Sequence, residues 1–307
     1  MEALLRRYPG LRRFPHVDLG VRPTPVEERV VDGLPLLVKR DDLTSPVYGG
    51  NKVRSLEFLL ARPSRRVLTF SSLGAHHAYA TAVHARRLGI ACDAVIVRTG
   101  QRGRVMEALP GVAARVEEVD GVLGAAGAAL DLWRPGTRII QAGGLSLRGT
   151  LGYVEAALEL EEVPSRIYVP LGTGTTVSGL LAGLMLRDAL TEVVAVRIAD
   201  PFVSFRPLLW CRAFGAIALL RRYDRTVPRV SPGGVTLRIV RGGGRYGEAT
   251  PSATAAVAAA GDLELEPTYT GKTLAVLLAD RAAGALFVNT FCPYGCPYGA
   301  RHKSSAS

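Results

Sequence analysis

Lysine is scarce in this 307-residue chain. It supplies four of the 38 basic residues (Lys39, Lys52, Lys272 and Lys303), and arginine supplies the rest. One of the four, Lys52, follows Gly49-Gly50-Asn51. Arginine stays protonated throughout the physiological range, whereas a lysine shielded from water can lose its proton and attack an aldehyde. A lysine kept here in an arginine-rich chain points to an amine nucleophile. Taken alone, the tetrapeptide also fits a capped turn followed by an exposed helix lysine.

Three further stretches carry groups that could serve such an amine. Leu171-Gly172-Thr173-Gly174-Thr175-Thr176 follows an apolar run and opens a helical pattern at Val177. A glycine loop between strand and helix gathers unpaired N–H groups at the positive end of a helix dipole, which suits a dianionic phosphate. Glycine at such a junction also serves plain packing, and the stretch lacks the G-x-x-x-x-G-K-[ST] of a nucleotide loop. Tyr269-Thr270-Gly271-Lys272 reads as a turn before a helix over Thr273–Ala279, with helix capping as the plain alternative. His76 and His77 are adjacent imidazoles suited to acid–base work near neutral pH, or to capping a helix at Ala78.

Lys39-Arg40-Asp41-Asp42 upstream of Lys52, and Arg54 with Leu56–Leu59 downstream, complete a longer pattern: K-R-D-D, a spacer, G-G-N-K, one residue, R-x-L-E-F-L. It resembles the lysine segment of the pyridoxal-phosphate enzymes that include D-cysteine desulfhydrase and 1-aminocyclopropane-1-carboxylate deaminase. The resemblance runs, with interruptions, from Pro23 to Thr290. It implies pyridoxal 5'-phosphate as cofactor, with Lys52 condensing with its aldehyde and shuttling the substrate Cα proton. It further implies phosphate contact by Gly172, Thr173, Gly174, Thr175 and Thr176, and cofactor contacts by Asn51 and Thr290. Tyr269 would face the substrate as proton donor or acceptor, and Thr270 would touch the pyridine nitrogen, leaving a weak electron sink. Ala142–Ser146 and Gly152–Glu155 resemble a further cleft-lining segment.

By the same resemblance, the fold is α/β, fold type II. It has two open parallel-sheet α/β domains with the cofactor in the cleft between them. The small domain would be 45–145, the large one 1–44 with 146–307, and the assembly a homodimer. The implied reaction is a lyase or deaminase reaction on a small amino-acid substrate. Its closest form is a D-cysteine desulfhydrase-like β-elimination giving keto acid and ammonia. Deamination of a cyclopropane amino acid, a β-replacement enzyme and a non-catalytic cofactor-binding relative are the alternatives.

Two departures bear on that reaction. Where the family reads G-x-x-Q-S-N-[HQ], this chain has Ser72-Leu73-Gly74-Ala75-His76-His77. Ala75 has no hydroxyl, so the serine's role does not carry over, and His76 or His77 becomes the candidate acid–base replacement. After Thr290, where the family continues with two glycines, Phe291 and Cys292 follow. They would reshape the pocket next to the ring.

The elements needed to position these groups are legible as alternation. Apolar runs at Val67–Phe70, Ala94–Val97, Ile139–Gln141, Ile167–Pro170 and Val193–Ile198 alternate with helical stretches at Ala78–Leu88, Arg104–Leu109, Gly149–Glu161 and Val177–Ala189. Short buried strands between amphipathic helices predict parallel sheets covered on both faces. Residues 202–245 read as loops around one helix near Leu208–Leu220.

Composition narrows the class. With 48% apolar and 21% charged residues, the chain can bury a substantial core in one or two domains. The net charge of +11 is spread in arginine pairs without a recognisable module, so no nucleic-acid partner is expected. The longest nearly apolar run, Gly121–Leu130, is too short and glycine-rich for a membrane helix, and no secretory signal opens the chain. No membrane contact and a cytoplasmic location are expected. Cys292 and Cys296 repeat a Cys-Pro-Tyr-Gly turn, half a zinc site at best, and no metal is expected.

Overall fold

The computed structural model describes residues 1–198 and 204–293. In chain order the elements are α1 (Glu2–Arg7), β1 (Val26–Val31), β2 (Leu34–Arg40), α2 (Asn51–Leu59), β3 (Arg66–Ser72), α3 (His77–Arg87), β4 (Ala91–Val97), α4 (Arg104–Ala108), β5 (Arg115–Val119), α5 (Gly121–Leu132) and β6 (Thr137–Ile140). They continue with α6 (Leu147–Leu158), β7 (Arg166–Leu171), α7 (Thr175–Leu186), β8 (Thr191–Arg197), α8 (Arg206–Tyr223), β9 (Val235–Arg241), α9 (Pro251–Ala259), α10 (Thr270–Ala279) and β10 (Leu286–Asn289).

Two sheets result. The smaller has the order β5-β4-β3-β6, all parallel. The larger has the order β1-β2-β10-β7-β8-β9, parallel except for the β1–β2 hairpin. Helices cover both faces, as near-continuous apolar strands require. On the large sheet, α6, α7 and α8 pack one face, while α9 and α10 pack the other. On the small sheet, α2 and α3 cover one face and α5 the other.

Three details position the site. First, β10 comes last in sequence yet lies between β2 and β7. Its C-terminal end therefore sits beside the loop after β2, and the Thr290 carbonyl accepts the Asn51 N–H at 3.1 Å. Second, α2 crosses α6 closely because residue 152 is glycine: a Cβ there would meet the Arg54 carbonyl oxygen at 2.3 Å. Third, the loops after β2, β3, β6, β7 and β10 all leave from strand C-terminal ends, the usual crevice of open α/β sheets.

The expected alternation is present, with ends shifted by a few residues. The chain contains more elements than the apolar runs announced. The edge strand β1 is half polar along its length (Glu27, Glu28, Arg29), so its pattern was weak. The stretch Gly121–Leu130, expected only as an apolar run, forms α5, a helix whose outer face leaves Val122 and Leu123 exposed. Within the region expected to be loops around one helix, α8 spans Arg206–Tyr223 and β9 adds an edge strand. Among the described residues, no helix is long and apolar enough to cross a membrane. Cys296 lies outside the described residues.

Candidate active site

A buried ion network anchors the start of α2. Arg54 lies two residues beyond Lys52 and is fully buried. Its guanidinium donates to both Asp41 carboxylate oxygens at 2.8 Å and to both Glu159 oxygens at 2.7 and 2.8 Å. Tyr153 adds a hydrogen bond to Asp41 at 2.6 Å, and Lys39 one to Glu159 at 2.8 Å. Burial opposes the Asp41 and Glu159 charges, but the cations beside them win and hold both carboxyls below their usual range. The K-R-D-D segment thus serves as a fastening that ties the lysine helix to β2 and α6.

Ahead of that helix the backbone is shaped by contacts that leave no room for side chains. A Cβ at Gly49 would meet the Asp42 carbonyl oxygen at 2.0 Å, and Gly50 has φ +88°. The turn delivers Lys52 into a cavity of about 660 Å³ between the two sheets. Among the described residues, no carboxylate pairs with the Lys52 amine. Burial lowers its pKa to about 8, so a useful fraction is the free amine near neutral pH.

Across the cavity lies the loop Gly172–Thr176. Gly174 has φ +89°, and a Cβ there would strike Leu209 at 2.4 Å, so the turn tolerates only glycine. Arg212 Nη1 holds the Thr173 carbonyl from behind at 2.7 Å. With that carbonyl turned away, the N–H groups from Thr173 to Thr176 find no protein acceptor among the described residues. They lie at the N-terminus of a 12-residue helix, α7. Asn51 Nδ2 donates to the Thr176 hydroxyl at 3.2 Å, linking the lysine turn to this loop. An aldehyde-reactive amine at one end and an unsatisfied anion cradle at the other fit a phosphorylated aldehyde such as pyridoxal phosphate.

The remaining predicted residues divide. Tyr269, His76, His77 and Thr290 line the cavity, as do Ala142, Gly143, Phe291 and Cys292. Ser146 instead caps α6, accepting the Gly149 N–H at 3.0 Å. Thr270 is not among the residues lining the cavity. It is fully buried behind the wall, with its hydroxyl donating to the Glu266 carbonyl at 3.1 Å. The side chain presented there is Glu266, whose carboxylate accepts the N–H groups of Thr268, Tyr269 and Thr270 at 2.7–2.8 Å. Burial raises its carboxyl above the usual range even so.

Burial bears on the acid–base role expected of His76 or His77. Burial, with the Lys52 charge second, lowers His76 to about 4 and His77 to about 3. Both rings are neutral at pH 7 and are weak bases. Nδ1 of His76 meets the Tyr48 hydroxyl. Both nitrogens of His77 are buried without a hydrogen bond of ordinary geometry among the described residues.

Sequence reasoning missed two aromatic residues. Tyr48 lines the cavity four positions before Lys52. Tyr246, from the loop after β9, receives the Tyr269 hydroxyl at 2.7 Å and meets the Ser72 hydroxyl at 2.6 Å. It rests against Gly100 in the loop after β4, so it spans from one sheet to the other. A side chamber of about 320 Å³ continues past Tyr246 and His76 toward Arg102 and Arg104. A tyrosine between two glycine-rich turns offered no pattern to find it by. Among the described residues, no group of three or more His, Cys, Asp or Glu side chains gathers as for a metal.

Comparison with known proteins agrees with this geometry. A family model described as pyridoxal-phosphate dependent enzyme matches residues 17–286. The chain is 29% identical over 306 residues to D-cysteine desulfhydrase of Klebsiella pneumoniae, covering 88% of this chain and 89% of that protein. It is 35% identical over 232 residues to nocardicin C-9' epimerase of Nocardia uniformis subsp. tsuyamanensis, covering 67% and 70%. A crystal structure of an ACC deaminase homologue superimposes with a TM-score of 0.76 at 26% identity, covering 92% of this chain and 93% of the other.

Proposed function

Since this chain belongs to the family of pyridoxal-phosphate dependent enzymes, we propose that it is a lyase releasing a β-substituent from a small amino acid, D-cysteine or a close analogue, to give keto acid and ammonia. The lyase or deaminase character and the cofactor follow from the relatives. The substrate and the residue roles are this proposal. One observation carries it: a single cavity joins the unpaired Lys52 amine to the unsatisfied N–H groups of Thr173–Thr176. We take residues 45–145 as the small domain, in keeping with the four parallel strands found there, and 1–44 with 146–307 as the large one.

When bound, the cofactor supplies an aldehyde for Lys52 and an electron-withdrawing ring that acidifies the substrate Cα–H. Thr173 to Thr176 bind the phosphate through their N–H groups. Asn51 and Thr290 sit beside Lys52 and orient what it holds. Lys52 Nζ, when free, would take the Cα proton, and its lowered pKa favours the unprotonated amine that this role needs. The hydroxyl row of Tyr269, Tyr246 and Ser72 can relay a proton to the departing β-substituent. Phe291, whose ring meets His76 edge-on at 5.3 Å, narrows access for water. With alanine at residue 75, no hydroxyl is offered there as a nucleophile, which weighs against ring opening of a cyclopropane amino acid.

A second reading, inversion at Cα, is favoured by the epimerase relative together with two separate proton carriers, Lys52 and the Tyr269–Tyr246–Ser72 hydroxyl chain. The deciding experiment supplies the holoenzyme with D- and L-cysteine, β-chloroalanine and alanine. Sulfide and pyruvate are measured by colorimetry, and Cα exchange in deuterium oxide by NMR. Keto acid from the β-substituted amino acids supports the lyase. Exchange and inversion without elimination would replace it with the epimerase.

A further inference from the structure

The side chamber exceeds what a small amino acid needs. The main cavity, of about 660 Å³, already joins Lys52 to the glycine–threonine loop, and the chamber opens a further space of about 320 Å³. The two spaces meet at a neck of residues that line both, among them Gly74, His76, Tyr246, Tyr269 and Phe291. Tyr269 and Tyr246 stand in that neck with their hydroxyls 2.7 Å apart. A β-substituent that takes its proton from this row lies beside it, with the chamber directly beyond. The group that leaves therefore has room to extend.

The far side of the chamber is basic. Arg102, in the loop after β4, and Arg104, at the start of α4, both line it. Arg102 is already engaged, since its Nη2 donates to both Glu118 carboxylate oxygens at 2.6 and 2.7 Å. The Arg104 guanidinium has no carboxylate partner among the described residues. Glu266, the one carboxylate lining the chamber among those residues, is occupied by the N–H groups of its own turn. An unpaired guanidinium at such a pocket attracts an anion, and its planar fork suits a carboxylate in particular. Between the two arginines, Gly103 leaves the space open: a Cβ there would come no nearer than 3.9 Å to Gly74 and Val105.

We propose, resting on the reading of the site as a β-eliminating lyase, that its substrate is an S-substituted cysteine. The substituent runs through the Tyr246–Tyr269 neck and ends in a carboxylate held by Arg104. In the reaction Lys52 takes the Cα proton and the Cβ–S bond breaks. Sulfur leaves with the electron pair and gains a proton from the hydroxyl row. Water hydrolyses the three-carbon fragment that remains, so thioether amino acid and water give thiol, pyruvate and ammonium.

The test uses substrate pairs that differ in charge alone: S-carboxymethyl-D-cysteine and S-carboxypropyl-D-cysteine, each beside its amide, with D-cysteine as reference. For holoenzyme, kcat/KM for keto-acid release should be roughly fivefold or more higher for the better acid than for its amide. That preference should vanish in Arg104→Ala, return in part in Arg104→Lys, and shrink at high salt. Gly103→Leu, which fills the chamber, should slow the extended substrates relative to D-cysteine. Equal rates for acid and amide at both lengths, or a preference that survives Arg104→Ala, overturns the proposal. So does turnover of D-cysteine with none of the extended substrates. If no amino acid yields keto acid, the lyase reading fails instead. Binding of the same pairs, followed by cofactor absorbance in wild type and Arg104→Ala, then decides whether Arg104 selects the anion.

Discussion

The Tyr269 hydroxyl donates to the Tyr246 hydroxyl at 2.7 Å, joining a helix entry beneath the large sheet to a loop that leans on the small one. Ser72, at the end of β3, closes the chain at 2.6 Å from Tyr246. Three hydroxyls from three separate segments thus form one hydrogen-bonded row along the cavity.

That row predicts non-additive losses. Tyr246→Phe removes the central link and should lower kcat by about a hundredfold or more, the scale of a lost proton-transfer group. Tyr269→Phe should cost a similar factor, and the double variant little more than either alone. Steady-state kinetics on the three proteins checks this, and fully multiplicative losses would show that the hydroxyls act independently.

Lys52 sets the pH dependence of cofactor capture. Its ammonium loses its proton at about pH 8 rather than near 10.5, because burial disfavours the charge. The rate at which apoprotein takes up pyridoxal phosphate should therefore climb from pH 7 to about pH 8 and level off above it. Stopped-flow absorbance follows this directly. A rate still rising steeply beyond pH 9.5 would indicate an ordinary, solvated lysine. Lys52→Ala should bind the cofactor without the visible band of a covalent adduct.

Arg54 should matter more to stability than its distance from the reacting atoms suggests. Arg54→Met leaves the buried Asp41 and Glu159 carboxylates without their main counter-ion. Breaking a buried pair in this way costs roughly 3–5 kcal/mol. Urea unfolding of the apoprotein should show that loss, and a shift below 1 kcal/mol would mean the network is nearly neutral in balance.

Three buried histidines should make the protein acid-sensitive. Burial lowers His76 to about 4, His77 to about 3 and His84 to about 4. Between these values and the ordinary 6.5, the unfolded chain binds more protons than the folded one, so stability rises with pH and falls on acidification. Unfolding midpoints should drop progressively between about pH 6.5 and pH 4. His84→Gln is expected to flatten that slope by its share, because residue 84 does not itself line the cavity and glutamine keeps a donor for the Tyr48 carbonyl.

Legibility followed locality. The lysine turn, the glycine–threonine loop and the strand–helix alternation were readable because each is a contiguous run. Gly172–Thr176 had to sit between a strand and a helix, and it does. Edge strand β1 and the alanine–glycine helix α5 were harder to see. One alternates weakly against solvent, and the other buries little besides Leu132.

Thr270 shows what local matching leaves open. The resemblance implied contact with the pyridine nitrogen, and the first turn of α10 points its hydroxyl at Glu266, four residues earlier. A helix turn decides which neighbour faces inward, and the motif does not carry that information. For the histidines too, imidazole chemistry is visible in the sequence, whereas the burial that lowers their basicity is not.

By itself, the amino-acid order determined that this chain has a lysine after Gly49-Gly50-Asn51, a glycine–threonine turn between a strand and a helix, and the alternating elements that hold both. Those are properties of short segments and need no partner from elsewhere. Only the tertiary structure decided that Tyr246 reaches Tyr269, that Tyr48 reaches His76, and that Glu266 rather than Thr270 lines the wall. Each of these depends on strand order, above all on β10 inserting between β2 and β7. Contacts between segments so far apart in the chain are fixed by packing, which no local pattern encodes.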